Sequence, residues 1–240
     1  MVRTVFLSLC LCVAALTSCT TDAYDKGEGE FSMMTAEMVD AHVGADKKVD
    51  FAVTDDGERL VPQKPFTISW ITKGDTTYRA LFYFNRTKNA QHQVEAVGMN
   101  RVGTLIPVVT DSLEDGVKTD PLYIESTWVG KSLRYLNLRI RLLTGAADDE
   151  EARHTLGLVA DSLSENADGT RTVFLRLYHD QGGRPEYYSV TTYASIPLDS
   201  IRADSLRLTV NTYQGIMTKT VAVSPTPSAS PPTHLPRRGE

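Results

Sequence analysis

Residues 120–142 read DPLYIESTWVGKSLRYLNLRIRL, and the fold turns on the second half of this stretch. There Leu136, Leu138, Ile140 and Leu142 alternate with Asn137, Arg139 and Arg141. Side chains of a strand point to opposite faces in turn, so this spacing predicts one face in a core and one polar face. Upstream, Trp128 falls at the end of a preceding strand, and Gly130 permits the turn into Leu133–Leu142. Asp120 and Pro121 set a hinge before the pair, because proline fixes its own φ and holds the preceding residue extended. Two readings of Trp128 stand. Its indole covers a sheet edge or an interdomain seam, or it binds a ligand.

The same period recurs on both sides. Val173, Leu175 and Leu177 follow it downstream, as do Leu206, Leu208 and Val210 against Arg207, Thr209 and Asn211. Upstream, Tyr78, Ala80, Phe82 and Phe84 are spaced by two, then His92, Val94 and Ala96. Val49, Phe51 and Val53 alternate with Lys48, Asp50 and Ala52. The turn Asp55-Asp56-Gly57 then leads into a short strand ending at Pro62, a hairpin signal. Ile68 and Trp70 are expected on one face of the next strand. ENADGT (165–170), HDQGGRPE (179–186) and TYQGI (212–216) supply further turns. No segment keeps a helical period beyond two turns, so the fold class is all-β.

The chain of 240 residues opens MVRTVFLSLCLCVAALTSC, with one positive charge (Arg3) and an apolar run from Val5 to Leu16. That run is shorter than the roughly 20 residues of a membrane-spanning helix and has the length of a secretory signal. LTSC resembles the lipobox of bacterial lipoproteins, in which the cysteine thiol takes a diacylglycerol and becomes the mature N-terminus. Residues 1–18 are therefore expected to be removed and Cys19 to carry the membrane anchor. The only cysteines are Cys10, Cys12 and Cys19, so the mature chain is expected to rely on its core, without disulfides or cysteine metal sites. Residues 19–32 read as an acidic, solvated tether, and the Pro/Ser-rich residues 224–240 as a flexible tail. The length between them suits two domains. A net charge of −5, with no basic stripe, argues against nucleic acid as a partner.

FAVTDDGERLVP (51–62) is similar to the F-x-L-x-D-D-G-x-x-L-x-P hairpin of the NigD-like lipoproteins of Bacteroidetes. Residues 120–142 resemble that family's second-domain opening, D-P-I-x-I-x-x-x-W-x-G-x-x-x-L-N-x-x-F. HDQGGRPEYYSVTTYASIPLDSI (179–201) resembles its H-x-x-x-x-D-x-P-x-Y hairpin and the strand that follows. The resemblance implies an N-terminal OB-like β-barrel over 33–118 and a C-terminal immunoglobulin-like β-sandwich over 119–223. It makes Asp55, Asp56, Gly57, Pro62, Asp120, Pro121, Trp128 and Gly130 a structural motif. It also implies an outer-membrane lipoprotein, on the periplasmic face or the cell surface, and it carries no active site to map. KPFTISWITKGDTTYRALFYFN (64–85) matches by alternation alone. In a Bacteroidetes protein the recurrent Asp–Ser/Thr–small or apolar triplets have the form of O-glycosylation acceptors, which singles out Thr76, Ser112, Ser162, Ser200 and Ser205. The same residues are also ordinary turn formers.

Catalytic patterns are lacking. His42, His92, His154, His179 and His234 show no H-x-H or H-x-x-x-H spacing, so each is expected alone on a surface or strand face, with no metal. The carboxylates of DDEE (148–151) are consecutive and repel, unlike the interleaved ligands of a calcium loop, so a solvated loop is expected. There is no G-x-S-x-G elbow and no P-loop. With the tether and two small β domains, these absences lead us to expect a non-enzymatic binding module without cofactors, a monomer by default, its ligand a glycan, a peptide or a protein. OB barrels bind along one open face. The aromatics Tyr83, Tyr187 and Tyr193 either stack on a ligand or cover the sheets. The family's name suggests an alternative, a bacteriocin-immunity or inhibitor-like periplasmic protein. A remoter one is an envelope hydrolase, whose paired carboxylates only the fold would bring together.

Overall fold

A computed structural model describes residues 34–87, 92–110, 113 and 116–223. The signal, Cys19, the tether, Ser112, His234 and the tail lie outside the described residues. The first strands are β1 (Thr35–Val43), β2 (Val49–Thr54), β3 (Arg59–Pro62), β4 (Thr76–Arg86) and β5 (Gln93–Arg101). They close a barrel in the order β1-β2-β3-β5-β4, with β4 returning to β1 and β3 running parallel to β5. Val39, Ala41, Ala80, Phe82 and Phe84 are fully buried inside it. Gly57 adopts φ +88° in the β2–β3 turn and donates its N–H to Thr54 O at 3.0 Å. That left-handed backbone is what an Asp-Gly hairpin asks of its glycine.

Two local expectations fail in the barrel. Phe51 does not share a core face with Val49. A bulge opposite His42 and Val43 inserts an extra residue, so Val49 and Ala52 point inward while Phe51 stacks outward on His42 at 4.2 Å. Ile68 and Trp70 lie on no strand. Pro65 withholds a ladder donor, and Ile71 N–H closes a turn on Ile68 O at 2.9 Å. Trp70 instead packs half-buried against the barrel core, donating Nε1–H to Met99 O at 3.1 Å.

The remaining strands build a sandwich. They are β6 (Gly103–Thr104), β7 (Pro107–Val109), β8 (Tyr123–Val129), β9 (Tyr135–Thr144), β10 (Thr155–Glu165), β11 (Arg171–Asp180), β12 (Tyr188–Pro197), β13 (Ser205–Thr212) and β14 (Gly215–Ala222). One sheet runs β6-β12-β9-β8 and the other β14-β13-β11-β10-β7. Leu136, Leu138 and Ile140 of the first pack with Leu206, Leu208 and Leu175 of the second in one core. The chain enters these sheets at Gly103, pairing in parallel with β12 and then, through β7, with β10. A division after residue 118 is therefore too late, because strands of two and three residues are too short to carry a readable period. Asp120 fixes the connection that follows. Its N–H bonds His179 O at 2.9 Å, and its Oδ2 accepts from Gln181 N–H at 2.7 Å.

Candidate functional site

The alternation that buries Leu136 and Leu138 leaves Asn137, Arg139 and Arg141 on the outer face of the four-stranded sheet. In register beside them stand Ser195, Tyr193 and Thr191 on β12, and Trp128, Ser126 and Tyr123 on β8. The barrel presents a matching outer face, where Asp40 pairs with Arg79, Met38 with Leu81, and Ala36 with Tyr83. These two faces meet in a seam. One end is sealed and polar, the other open and aromatic.

At the sealed end Arg79 sits almost fully buried. Its guanidinium donates to Asp55 Oδ2 at 2.7 Å, Asn137 Oδ1 at 3.0 Å and Ser195 Oγ at 3.1 Å, and approaches Asp40 Oδ1 at 3.4 Å. Its Cζ lies 3.9 Å from the Tyr135 ring centroid. Asn137 Nδ2 donates to Asp55 Oδ2 at 2.7 Å, and Ser195 Oγ to Asn137 Oδ1 at 2.7 Å. Arg134 completes the neutralisation with a 2.6 Å ion pair to Asp40 Oδ2. Taking such charges out of water costs several kcal/mol per ion, which only dense hydrogen bonding of this kind can offset. Burial, and then the Asp40 carboxylate, raises the Tyr135 phenol above its ordinary pKa.

The two motifs read in the sequence clasp each other at this end. Ser132 N–H donates to Asp55 O at 2.9 Å, and Lys131 grips Asp56 through its backbone N–H at 3.2 Å and its Nζ at 2.7 Å. Those bonds hold the Asp56 carboxyl below the usual range. A Cβ on Gly130 would stand 2.5 Å from Asp55 Cβ and 2.9 Å from its carbonyl oxygen. Gly130 thus serves a close approach of two backbones, and the left-handed residue of the following connection is Leu133, at φ 55°. The turn carboxylate Asp55 is more than a hairpin former. It is the barrel's half of the joint.

Two strand positions further along, the faces enclose a cleft of about 770 Å³. Met38, Leu81 and Val102 form a small apolar floor, against which Tyr83, Trp128 and Tyr193 pack half-buried. Arg139 reaches into the cleft from β9 and pairs with Glu125 at 2.9 Å. Glu125 also holds Arg141, at 3.3 Å. Glu37 lines the opposite wall, where burial raises its carboxyl pKa. Trp128 accordingly sits on the seam and lines the cavity, so both readings of it meet in one place.

Tyr83 and Tyr193 come together here, while Tyr187 stands apart, 80% exposed beside Gly145. The acceptor candidates scatter. Ser162 is exposed on β10 and Thr76 half-buried at the start of β4. Ser200 Oγ donates to Pro197 O at 2.7 Å, and Ser205 Oγ shares a 2.8 Å bond with Thr172 Oγ1. Pro62 ends β3 in register with Val94. The histidines are not all solitary. His154 Nδ1 lies 3.0 Å from His179 Nε2, and buried His179 reaches Asp120 O through Nδ1 at 2.9 Å. Among the described residues no three His, Cys, Asp or Glu side chains gather as metal ligands, and no helix is long and apolar enough to cross a membrane.

Sequence reasoning passed over Asp40, Arg79, Asn137 and Ser195. Signals for them existed: Asp40 interrupts the apolar run MVDAHV, and Arg79 interrupts YRALFYF. A lone charge inside an apolar strand needs a buried partner.

Residues 105–224 match the family model described as the NigD-like C-terminal beta sandwich domain. Among solved structures the chain is similar to a NigD-like immunity protein from Bacteroides caccae, at 26% identity and TM-score 0.63, covering 77% of this chain and 91% of that one. A protein from Parabacteroides distasonis, provisionally described as toxin-related, shares the fold at 18% identity and TM-score 0.57, covering 78% and 92%. A Bacteroides fragilis protein provisionally described as a lipoprotein does so at 13% identity and TM-score 0.51, covering 78% and 96%. No curated protein sequence matches the chain.

Proposed function

The chain belongs to the NigD-like family, and from that premise we propose that it is a lipid-anchored, non-catalytic envelope protein that binds its partner in the cleft between barrel and sandwich. The observation that carries this reading is the split seam. The same two faces that give each guanidinium nitrogen of Arg79 a partner at one end leave Tyr83, Trp128, Tyr193 and Arg139 lining a cleft at the other. Binding pockets combine apolar and aromatic walls with a few placed polar groups. Cys19 anchors the protein to the outer membrane in this reading. Its replacement by Ala should move the protein from the membrane to the soluble fraction of host cells.

Trp128 provides the test, since the only other tryptophan, Trp70, packs against the barrel core. In a Trp70→Phe background, a ligand in the cleft should change Trp128 emission, and Tyr193→Ala should abolish the change. A partner that binds with Trp128 emission unaltered, and equally well to Tyr193→Ala, places the site elsewhere. One observation favours a second reading, neutralisation of a bacteriocin-type toxin: the 26%-identical relative is described as an immunity protein. Under that reading, deleting the gene sensitises the host to a toxin made by its own strain.

A further inference from the structure

Resting on that reading of the cleft, we propose that its ligand is an acidic oligosaccharide, gripped by Arg101 and Arg139 and stacked on Tyr83 and Tyr193. The cleft does not end at Tyr193. A second cavity of about 320 Å³ shares Leu81, Tyr83, Arg139 and Tyr193 with the first. A third, of about 630 Å³, shares Arg101, Val102, Thr192 and Tyr193 with the second. Three adjoining cavities around one tyrosine make a groove that suits a chain molecule better than a compact one.

The charge of the middle cavity selects the sign of the ligand. Arg101 and Arg139 line it and no carboxylate does, whereas the first cavity carries Glu37, Asp55 and Asp56 beside Lys131 and Arg139, so the acidic group of the ligand belongs in the middle cavity. Arg101 is exposed at the end of β5. Arg139 has a carboxylate partner, but Glu125 is divided between Arg139 and Arg141. One acidic group therefore answers two guanidiniums, and Arg101 adds a further positive charge. Planar guanidinium forks match carboxylates and sulfates in bidentate geometry.

The remaining lining selects a sugar over a peptide. Arg139 and Tyr193 stand on β9 and β12, both interior strands of their sheet. β9 is paired along both sides and β12 pairs β6 at Ala194 and Ser195, so beside Arg139 an extended peptide finds no unpaired ladder to extend. Side chains are what the groove offers. Asn100, Thr191 and Thr192 supply donors and acceptors suited to hydroxyls, and the tyrosine rings present negative faces to the polarised C–H groups of a pyranose.

The test is titration calorimetry of the purified protein with three acidic probes: a galacturonate tetramer, a chondroitin sulfate tetramer and a sialylated lactose. Each is paired with its esterified, desulfated or asialo counterpart, and an aspartate-rich peptide is included. At least one acidic saccharide should bind, and removing its charge should weaken it about 10- to 100-fold, the worth of one charge-assisted bond. Arg101→Gln should weaken it comparably, and Arg207→Gln, on β13 of the other sheet, should not. Equal binding of charged and neutral saccharides overturns the inference while leaving the cleft as a binding site. Binding of the acidic peptide alone also overturns it and assigns the cleft to a protein partner. If no saccharide binds, the inference fails, and Trp128 emission against candidate protein partners then decides the broader reading separately.

Discussion

The two ends of the seam are built from the same strands and differ only in what their side chains meet. At the sealed end, Asp40 and Arg79 face Asn137 and Ser195, and the charges are enclosed and paired. At the open end, Met38 and Leu81 form a floor on which Tyr83, Trp128 and Tyr193 pack half-buried, and Arg139 lines the cleft beside them. Buried charge is costly unless paired, so the ion pairs of Arg79 and Arg134 with Asp40 and Asp55 favour one arrangement of the first end. The second leaves its arginine and aromatics available to an outside molecule. In the proposed reading, the contrast separates the part of the interface that orients the domains from the part that recognises a ligand.

Breaking the sealed end should have the largest effect. Arg79→Met strands Asp40 and Asp55 in the joint without their shared cation, and should cost about 3–5 kcal/mol in urea unfolding. A loss below about 1 kcal/mol would mean the pairing is ornamental and the contrast misplaced. Gly130→Ala drives a methyl group against the Asp55 backbone. It should cost about 1–3 kcal/mol, as overpacking does, and the thermal midpoint should fall accordingly.

A third polar place, remote from the cleft, sharpens the comparison. The His154–His179 pair is faced by Asp120 on the connection before β8 and by Arg184 in the β11–β12 turn, with Lys118 and Asp180 paired nearby. Burial first, then His179 and Arg184, hold the His154 pKa below its ordinary value. The unfolded chain therefore takes up this proton before the native one does. The stability the neutral ring contributes is present in full above the unfolded value of about 6.5 and is lost as pH falls through and below it. His154→Gln should make the fall in thermal midpoint between about pH 7 and pH 5 shallower than in the parent protein. An unchanged slope would assign the acid sensitivity to other groups. The smallest effect on stability belongs to the open end. Arg101→Gln should shift unfolding by less than about 0.5 kcal/mol, however much it weakens binding.

The sandwich core was legible because Leu136 to Leu142 and Leu206 to Val210 keep an unbroken period over a whole strand. The barrel was legible in β4, went unread in β1, where Asp40 and His42 interrupt the apolar run, and was misread where a bulge reversed Phe51 or a proline ended the ladder near Ile68. The short β6 and β7 were invisible, since pairing with distant strands, not local pattern, makes them strands. Of the site, Tyr83, Tyr193 and Trp128 stood out as aromatics. The residues that join them did not. Asn137 looks in sequence like any solvent-facing alternate, and it is fully buried because a second domain covers that face. Asp55 looks like a turn residue and is one, but its other role depends on Arg79, 24 positions away.

The most direct test asks whether the open end is occupied where the protein works. Hydroxyl-radical footprinting can be run on the purified protein and on intact cells of its host, with the exposed and remote Tyr187 as internal reference. Relative to Tyr187, oxidation of Tyr83, Trp128 and Tyr193 should fall in cells and recover in the purified protein. Equal relative oxidation in both settings would contradict the assignment of the cleft as the binding site.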